Sequence, residues 1–538
     1  MKPWQKGLVF TIIILAWLIL APWLWLSGPK NGGFLVFGSH DSLWHLSLIA
    51  EIANRGLPPQ FPGMNGVLLT NYNYLGDLLW SLFVKILNIP PWLWYFRIGN
   101  LLVIGSFLLA IYLFSKKIAH DWQVGIFSVL LASLGGTAAF LIPLINSSQK
   151  NWQSNSFMLS PVIQYATNLH AILALTILLA SLYFYYLFFQ NQKIKNGIWA
   201  GIFMGVLFGI KALYFLPFFL ASCLIAAISL IKKEVKLVIP TLVSLIVFII
   251  LFKFFVKPTN GLIPFQFRPL WLLEKMVEDP DRFYWPKMVF LDQQYRSTND
   301  FFRLTISAIV KIFLYLAGNL WLRFLGILWL FKKAVNKNSS LFYQLSLLTI
   351  IFSVLLPLLI TPNPDHYNAV QIGRIGLFLS ALFLGISLKR KPLAFLIIFI
   401  LMILTTFRVN RNILFISSQE YQALNFLKNN SYPEEVVMDL VKSHQDYIVV
   451  PALAQRKTFF SDTKQADLFG VDYQKRLALQ KNFLEGKLTK EEVPKLLTEN
   501  NISYVYTQTN SFSQEQEKNY GLDVFFQNNE ITIYFPLP

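Results

Sequence analysis

The sequence predicts an α-helical polytopic membrane protein of about eleven spans that ends in a C-terminal α/β domain. Three observations predict it. Only 14% of the 538 residues are charged and 55% are apolar, where a soluble chain carries roughly a quarter charged residues. The apolar residues gather in runs long enough to cross a bilayer. Cationic clusters then recur at every second connection between those runs. A purely soluble enzyme and a disordered chain are excluded. The single cysteine, Cys223, lies in an apolar run, which excludes an internal disulfide and a Cys-based metal cluster. The six histidines are too scattered for a zinc signature by spacing.

The first apolar run, 8–26, follows Lys2 and Lys6 and has no small-residue cleavage site after it. It reads as a retained span. Ten further runs lie near 96–114, 124–145, 169–189, 198–213, 215–231, 237–256, 304–331, 341–360, 375–388 and 393–407. The clusters Lys2/Lys6, Lys116/Lys117, Lys193/Lys195, Lys232/Lys233/Lys236, Lys332/Lys333/Lys337 and Lys389/Arg390/Lys391 fall on one side of this alternation. Cytoplasmic loops carry the excess of Lys and Arg. The expectation is a multi-pass protein of the plasma membrane, with a cytoplasmic N-terminus and an extracytoplasmic C-terminal domain. The tail from Arg408 holds 14 Lys+Arg and 16 Asp+Glu, so the net +18 of the chain belongs to the membrane part. That charge is a topology signal. No basic stripe with interleaved aromatics points to nucleic acid.

The expected division is a transmembrane domain at 1–407 and a soluble extracytoplasmic α/β domain at 408–538. In the tail, 419–429 has helical spacing, 447–450 and 504–506 suit strands, and 472–483 and 490–499 read as amphipathic helices. No catalytic constellation stands out there, which favours a packing or acceptor-docking module.

The chemistry concentrates in the first outer loop. Gly38-Ser39-His40-Asp41-Ser42-Leu43-Trp44-His45 opens a stretch in which Trp44, Leu48, Ile49 and Ile52 recur at helical spacing. That predicts an amphipathic helix along the membrane surface. Asp41 and His45, four apart, share one side of it. A turn-rich segment, Arg55 to Gly63, is followed by Asn71-Tyr72-Asn73-Tyr74 and a second amphipathic stretch at 75–89. A lipid-phosphate substrate carries its phosphate at headgroup depth, and a carboxylate just beyond a span meets it there. Such a carboxylate takes the proton from an attacking hydroxyl, while His, Arg or Lys stabilises the departing phosphate. Tyr72, Tyr74 and Trp44 are placed to stack on sugar faces. The plain alternative is that Ser39 or Asp41 caps the helix and His45 is an interfacial residue.

This loop resembles that of the GT-C superfamily of membrane glycosyltransferases, which includes protein mannosyltransferases and the aminoarabinose transferase of lipid A. The resemblance rests on an Asp directly after span one, an interfacial helix, a Pro-rich turn and a Tyr/Asn segment. It extends to the alternating topology and the outward tail. It implies a GT-C-like fold and transfer of a hexosyl or pentosyl group from a polyprenyl-phosphate-linked donor to a glycan, lipid or protein acceptor. In the family an acidic residue of this loop is catalytic base or holds a metal, and the matching position is Asp41. The first loop departs from the family in having no second acid beside Asp41 and no clear Asp-x-Asp, and it carries His40 and His45 instead. The reading is therefore a metal-independent, inverting enzyme with no cofactor, a divalent metal not being excluded.

Further substrate-binding candidates are Tyr72, Asn73, His170 at the outer end of its span, Lys211, and the cluster Pro364-Asp365-His366-Tyr367-Asn368 with Arg374. A cation in a span has a partner or a function, or else it snorkels. Arg323 reads as structural, and Asp77 with Lys85 as a wetted helix face. The loop 257–303, with Arg268, Arg282, Asp292, Tyr295 and Arg296, is either a gate or a solvated connector. Two other function classes stand beside the enzyme. A transporter or lipid flippase predicts matching halves and charges at mid-membrane. A non-catalytic scaffold with an outward binding domain predicts indifference to loss of Asp41.

Overall fold

The computed structural model describes every residue except Met1, 146–155, 160–167, 257–264, 337–339, Pro364, 405–412 and Pro538. Most of the loop expected at 146–168 lies outside the described residues. The chain forms two compact units. One comprises Met1–Ala21 and Leu102–Asn410, the other Pro22–Leu101 and Arg411–Pro538. This divides the chain differently from the expected 1–407 and 408–538: the first loop joins the tail.

The chain is an integral membrane protein. In lipid, backbone polar groups have no water to bond, so long apolar runs close their hydrogen bonds internally as helices. Among the described residues eight helices are long and apolar enough to cross a membrane. The number is nine if Trp122–Leu134 and Ala138–Leu144, bent by 58°, form one span. Two places account for much of the difference from eleven. Pro392–Ile403 has 12 residues, short of the ~20 a crossing needs. The two runs expected at 198–213 and 215–231 are two arms of one 38-residue stretch, Ile194–Ile231, which by length counts once.

That stretch folds back on itself at Lys211, whose backbone is non-helical (φ −153°, ψ 87°). The Tyr185 hydroxyl lies 3.9 Å from Met204 Sδ and 2.6 Å from Ser222 Oγ. In a straight helix those two residues would stand ~27 Å apart at about 1.5 Å per residue. Ser222 Oγ also meets Thr241 Oγ1 at 2.6 Å, so a chain of hydroxyls ties three helices together. Arg323 is structural, as expected. It is 2% exposed, and its guanidinium donates to the carbonyls of Asn319 (3.0 Å) and Gly135 (2.6 Å).

In the same unit, Phe265–Phe267 pairs antiparallel with Ile360–Pro362. The connection after it holds two helices, Trp271–Glu278 and Pro286–Ser297. The second is anchored: buried Asp292 accepts from Ser307 Oγ at 2.5 Å and pairs with buried Lys311.

In the other unit, Gly33–Phe37 pairs with Gly28–Lys30 on one side and with Ile413–Ile416 on the other, both antiparallel. The tail then builds a five-stranded mixed sheet in the order Lys457–Thr458, Val436–Asp439, Ile502–Gln508, Ile531–Pro536, Leu522–Gln527. Phe459, Phe483, Val493, Val505, Phe512 and Tyr534 fill its core. The helices expected near 419–429, 472–483 and 490–499 are Ser418–Asn430, Gln474–Leu484 and Glu492–Glu499. The strand expected at 447–450 is absent. Val450–Ala454 is a helical turn instead. Its apolar residues are buried, and a short apolar run does not by itself distinguish strand from helix. Pro451 moreover has no N–H to give a ladder.

The first loop forms both expected helices, Ser39–Arg55 and Leu75–Leu87. The first does not keep a wetted face, since every residue from Ser42 to Ile52 is buried. It packs on Leu75–Leu87 and on Val450–Ala454. Asp77 is likewise not on a wetted face. It is fully buried, whereas Lys85 is exposed.

Candidate active site

Gly38 precedes the Ser39–Arg55 helix with φ 61° and ψ 45°. Glycine reaches this left-handed conformation without a Cβ penalty, and it turns the strand Gly33–Phe37 sharply into the helix. Asp41 stands in the first helical turn, where the helix dipole favours a negative charge. It is exposed, at the head of eleven consecutive buried residues, Ser42–Ile52.

His40, the neighbouring residue, is held by the tail. Its Nε2 lies 3.3 Å from Asp462 Oδ1, and its Nδ1 lies 3.3 Å from Gln465 Nε2. Burial works against protonation of this imidazole. The Asp462 hydrogen bond and charge, with a smaller push from Asp41, outweigh burial and an opposing effect of Lys464, so the pKa rises. His45, four residues on, is 3% exposed. Its Nδ1 meets Asp77 Oδ1 at 3.0 Å. The two residues, four apart on one helix, thus differ in burial, Asp41 being exposed and His45 interior.

The aromatic residues are arranged around the same helix. Trp44 is 2% exposed and stacks on Phe469 at 5.2 Å. Tyr72 sets its ring edge-to-face with Trp44 (5.5 Å) and with Phe469 (5.3 Å). Trp44 and Tyr74 are therefore buried rather than open to sugar faces, while Tyr72 and Asn73 are half-buried. Burial, with the nearby charges of Asp77 and Asp41, pushes the Tyr72 hydroxyl well above its ordinary pKa. It remains a protonated donor.

In the membrane unit, Lys211 is half-buried at the chain reversal. The guanidinium of Arg374 lies beside the hydroxyl of Tyr214, one helical turn after Lys211. His366 is half-buried, with its Nδ1 2.9 Å from the Pro362 carbonyl and its ring against Trp271. The neighbouring Asp365 carboxyl is raised by burial. His170 is 1% exposed in the first turn of Leu169–Asn191, which Asn168 caps. Arg374 thus meets Tyr214 from a helix remote in sequence.

With this geometry in place, the chain can be set beside known proteins. It is similar to ArnT. Crystal structures of ArnT from Cupriavidus metallidurans, one bound to undecaprenyl phosphate and one in the apo state, each match with 11% identity and a TM-score of 0.44. Each match covers 98% of this chain and 98% of the ArnT chain. Neither a protein-family model nor a curated protein sequence matches.

Sequence reasoning misplaced Asp77 on a wetted face and missed Asp462, Gln465, Phe469 and Tyr214. An Asp flanked by Leu75-Gly76 and Leu78-Leu79 carries a signal for burial in its neighbours. Asp462 and Gln465 carry none, because their partner lies more than four hundred residues earlier in the chain.

Proposed function

We propose that this chain is a GT-C-type glycosyltransferase that moves a sugar from a polyprenyl-phosphate donor to an acceptor outside the cytoplasm. The observation that carries the proposal is Asp41: a carboxylate exposed at the head of a buried helix, with the protonatable His40 at its side. Asp41 accepts the proton of the acceptor hydroxyl. The hydroxyl oxygen bonds to the anomeric carbon as the bond from that carbon to the phosphate oxygen breaks, and the polyprenyl phosphate leaves with the electron pair. One displacement inverts the anomeric centre. We place the basic loops in the cytoplasm and the tail outside it, on the alternation of the six cationic clusters.

The test is transfer of label from a polyprenyl-phosphate sugar by the reconstituted full chain, with a membrane extract as acceptor source. Asp41→Asn is expected to lower turnover by about 10²–10⁴-fold, the usual share of general-base catalysis, while its thermal melt stays in place. Unchanged turnover rejects the assignment. Protease access to the tail in sealed, right-side-out vesicles tests the orientation.

A further inference from the structure

We infer that the tail is a working part of the site: Asp462 and Gln465 are positioning residues that fix Asp41 by gripping His40. The inference rests on the reading of Asp41 as the base.

The grip engages both nitrogens of one ring. Nε2–H donates to Asp462 Oδ1 and Nδ1 accepts from the Gln465 amide. Neither nitrogen is left to bind a substrate, so His40 acts as a strut rather than as a phosphate ligand. The strut ends one residue before Asp41, inside the same helical turn. It therefore holds in place the first helical turn, which carries Asp41.

The other end of the strut is rigid. The Asp462 side chain is 1% exposed, and its Oδ1 also accepts the Gln465 backbone N–H at 3.0 Å, capping the helix Thr463–Phe469. The Asp462 backbone sits at φ 68° and ψ 81°, a conformation that costs a non-glycine residue energy and persists only where its surroundings impose it. An ordinary cap uses extended backbone and needs no such strain.

The segment before Asp462 is bolted to the loop that follows the Asp41 helix. Ser461 N–H donates to the Gly63 carbonyl and Asn65 N–H to the Thr458 carbonyl, both at 2.8 Å. A Cβ on Gly63 would collide with the Ser461 carbonyl oxygen. At the far end of the short helix, Phe469 covers Trp44 and Tyr72. The stretch 458–469 thus touches the Asp41 helix, its following loop and its aromatic neighbours.

The charged groups around His40 are Asp462, Asp41 and Lys464. Lys464 is itself paired with Asp446 at 3.1 Å and lies over the Tyr447 ring, whose edge faces His40 at 6.3 Å.

The experiment is a double-mutant cycle on the full reconstituted chain. Asp462→Ala is expected to lower kcat about 10²-fold, the cost of misplacing a reacting group by an ångström, with KM within about twofold. Asp462→Asn keeps an acceptor oxygen for both bonds and restores most of kcat. In the Asp41→Asn background, Asp462→Ala adds no further loss, because both act through one group. A second readout needs no turnover: carbodiimide labelling of Asp41, followed by mass spectrometry, changes rate in Asp462→Ala and returns towards the native rate in Asp462→Asn. Losses that multiply independently, or a labelling rate that does not move, overturn the inference. Full activity of Asp41→Asn with a changed labelling rate rejects Asp41 as the base while leaving the grip of the tail on it standing.

Discussion

Three histidines in the loop–tail unit meet a carboxylate, and two of them, His40 and His444, illustrate how the same bond serves different ends. His40 has a 27% exposed side chain, and a single carboxylate and an amide grip it beside the exposed Asp41. His444 has a 3% exposed side chain and sits between two carboxylates, Asp439 at 2.8 Å and Glu420 at 2.6 Å. Burial alone would keep its imidazole neutral. The two acids outweigh burial and lift its pKa to about 10. Asp439 ends a central strand and Glu420 lies on the helix Ser418–Asn430, so the His444 cation staples helix to sheet. An Asp–His pair is therefore no evidence of catalysis by itself. What lies beside it decides.

The largest effect that separates the two is on folding. His444→Ala leaves two carboxylates facing one another with no cation between them, and breaking a buried pair in this way costs on the order of 3–5 kcal/mol. Denaturant melts are expected to show that loss, with kcat unchanged at temperatures where the variant stays folded. His40→Ala is expected to reverse the pattern. Its kcat falls about 10²-fold through a misplaced Asp41, with a smaller change in the melt, since the site is partly exposed. Equal behaviour of the two variants would erase the distinction.

A gentler effect is the pH dependence of stability. His444 binds its proton more tightly folded than unfolded. Its contribution is complete below an unfolded pKa of about 6.5 and drains away as pH rises to the folded value of about 10. The difference between the wild-type and His444→Ala stability curves should fall across that window and level off above it. The smallest expected effect is none: a metal-independent reaction keeps its turnover in EDTA, and a loss restored by a divalent cation would count against that reading.

Most of the membrane architecture was legible because lipid imposes a coarse rule on sequence. Apolar length is enough to mark most of the runs. The fold-back at Lys211 was legible as two successive short runs, 198–213 and 215–231, whereas the contacts of Tyr185 with Met204 and Ser222 that close it were not. In the first loop, helical spacing at Trp44, Leu48, Ile49 and Ile52 found the helix correctly. It misjudged the surroundings, since His45, Ser47 and Glu51 are buried as well. A periodicity argument assumes that polar residues face water, and here the tail and the second loop helix occupy that side. Asp77 was misjudged for the same reason.

The pairing of Gly33–Phe37 with Ile413–Ile416 bears on how the protein is made. The ribosome delivers the first of these strands ahead of the membrane helices from Leu102 onward, and the second only after Asn410. One edge of the early strand must wait through insertion of nearly the whole membrane unit before its partner emerges. A nascent chain cut short before the last segment has no strand to close that edge and no Asp462 to seize His40. The early strand and His40 thus gain their partners only after the membrane unit has been made.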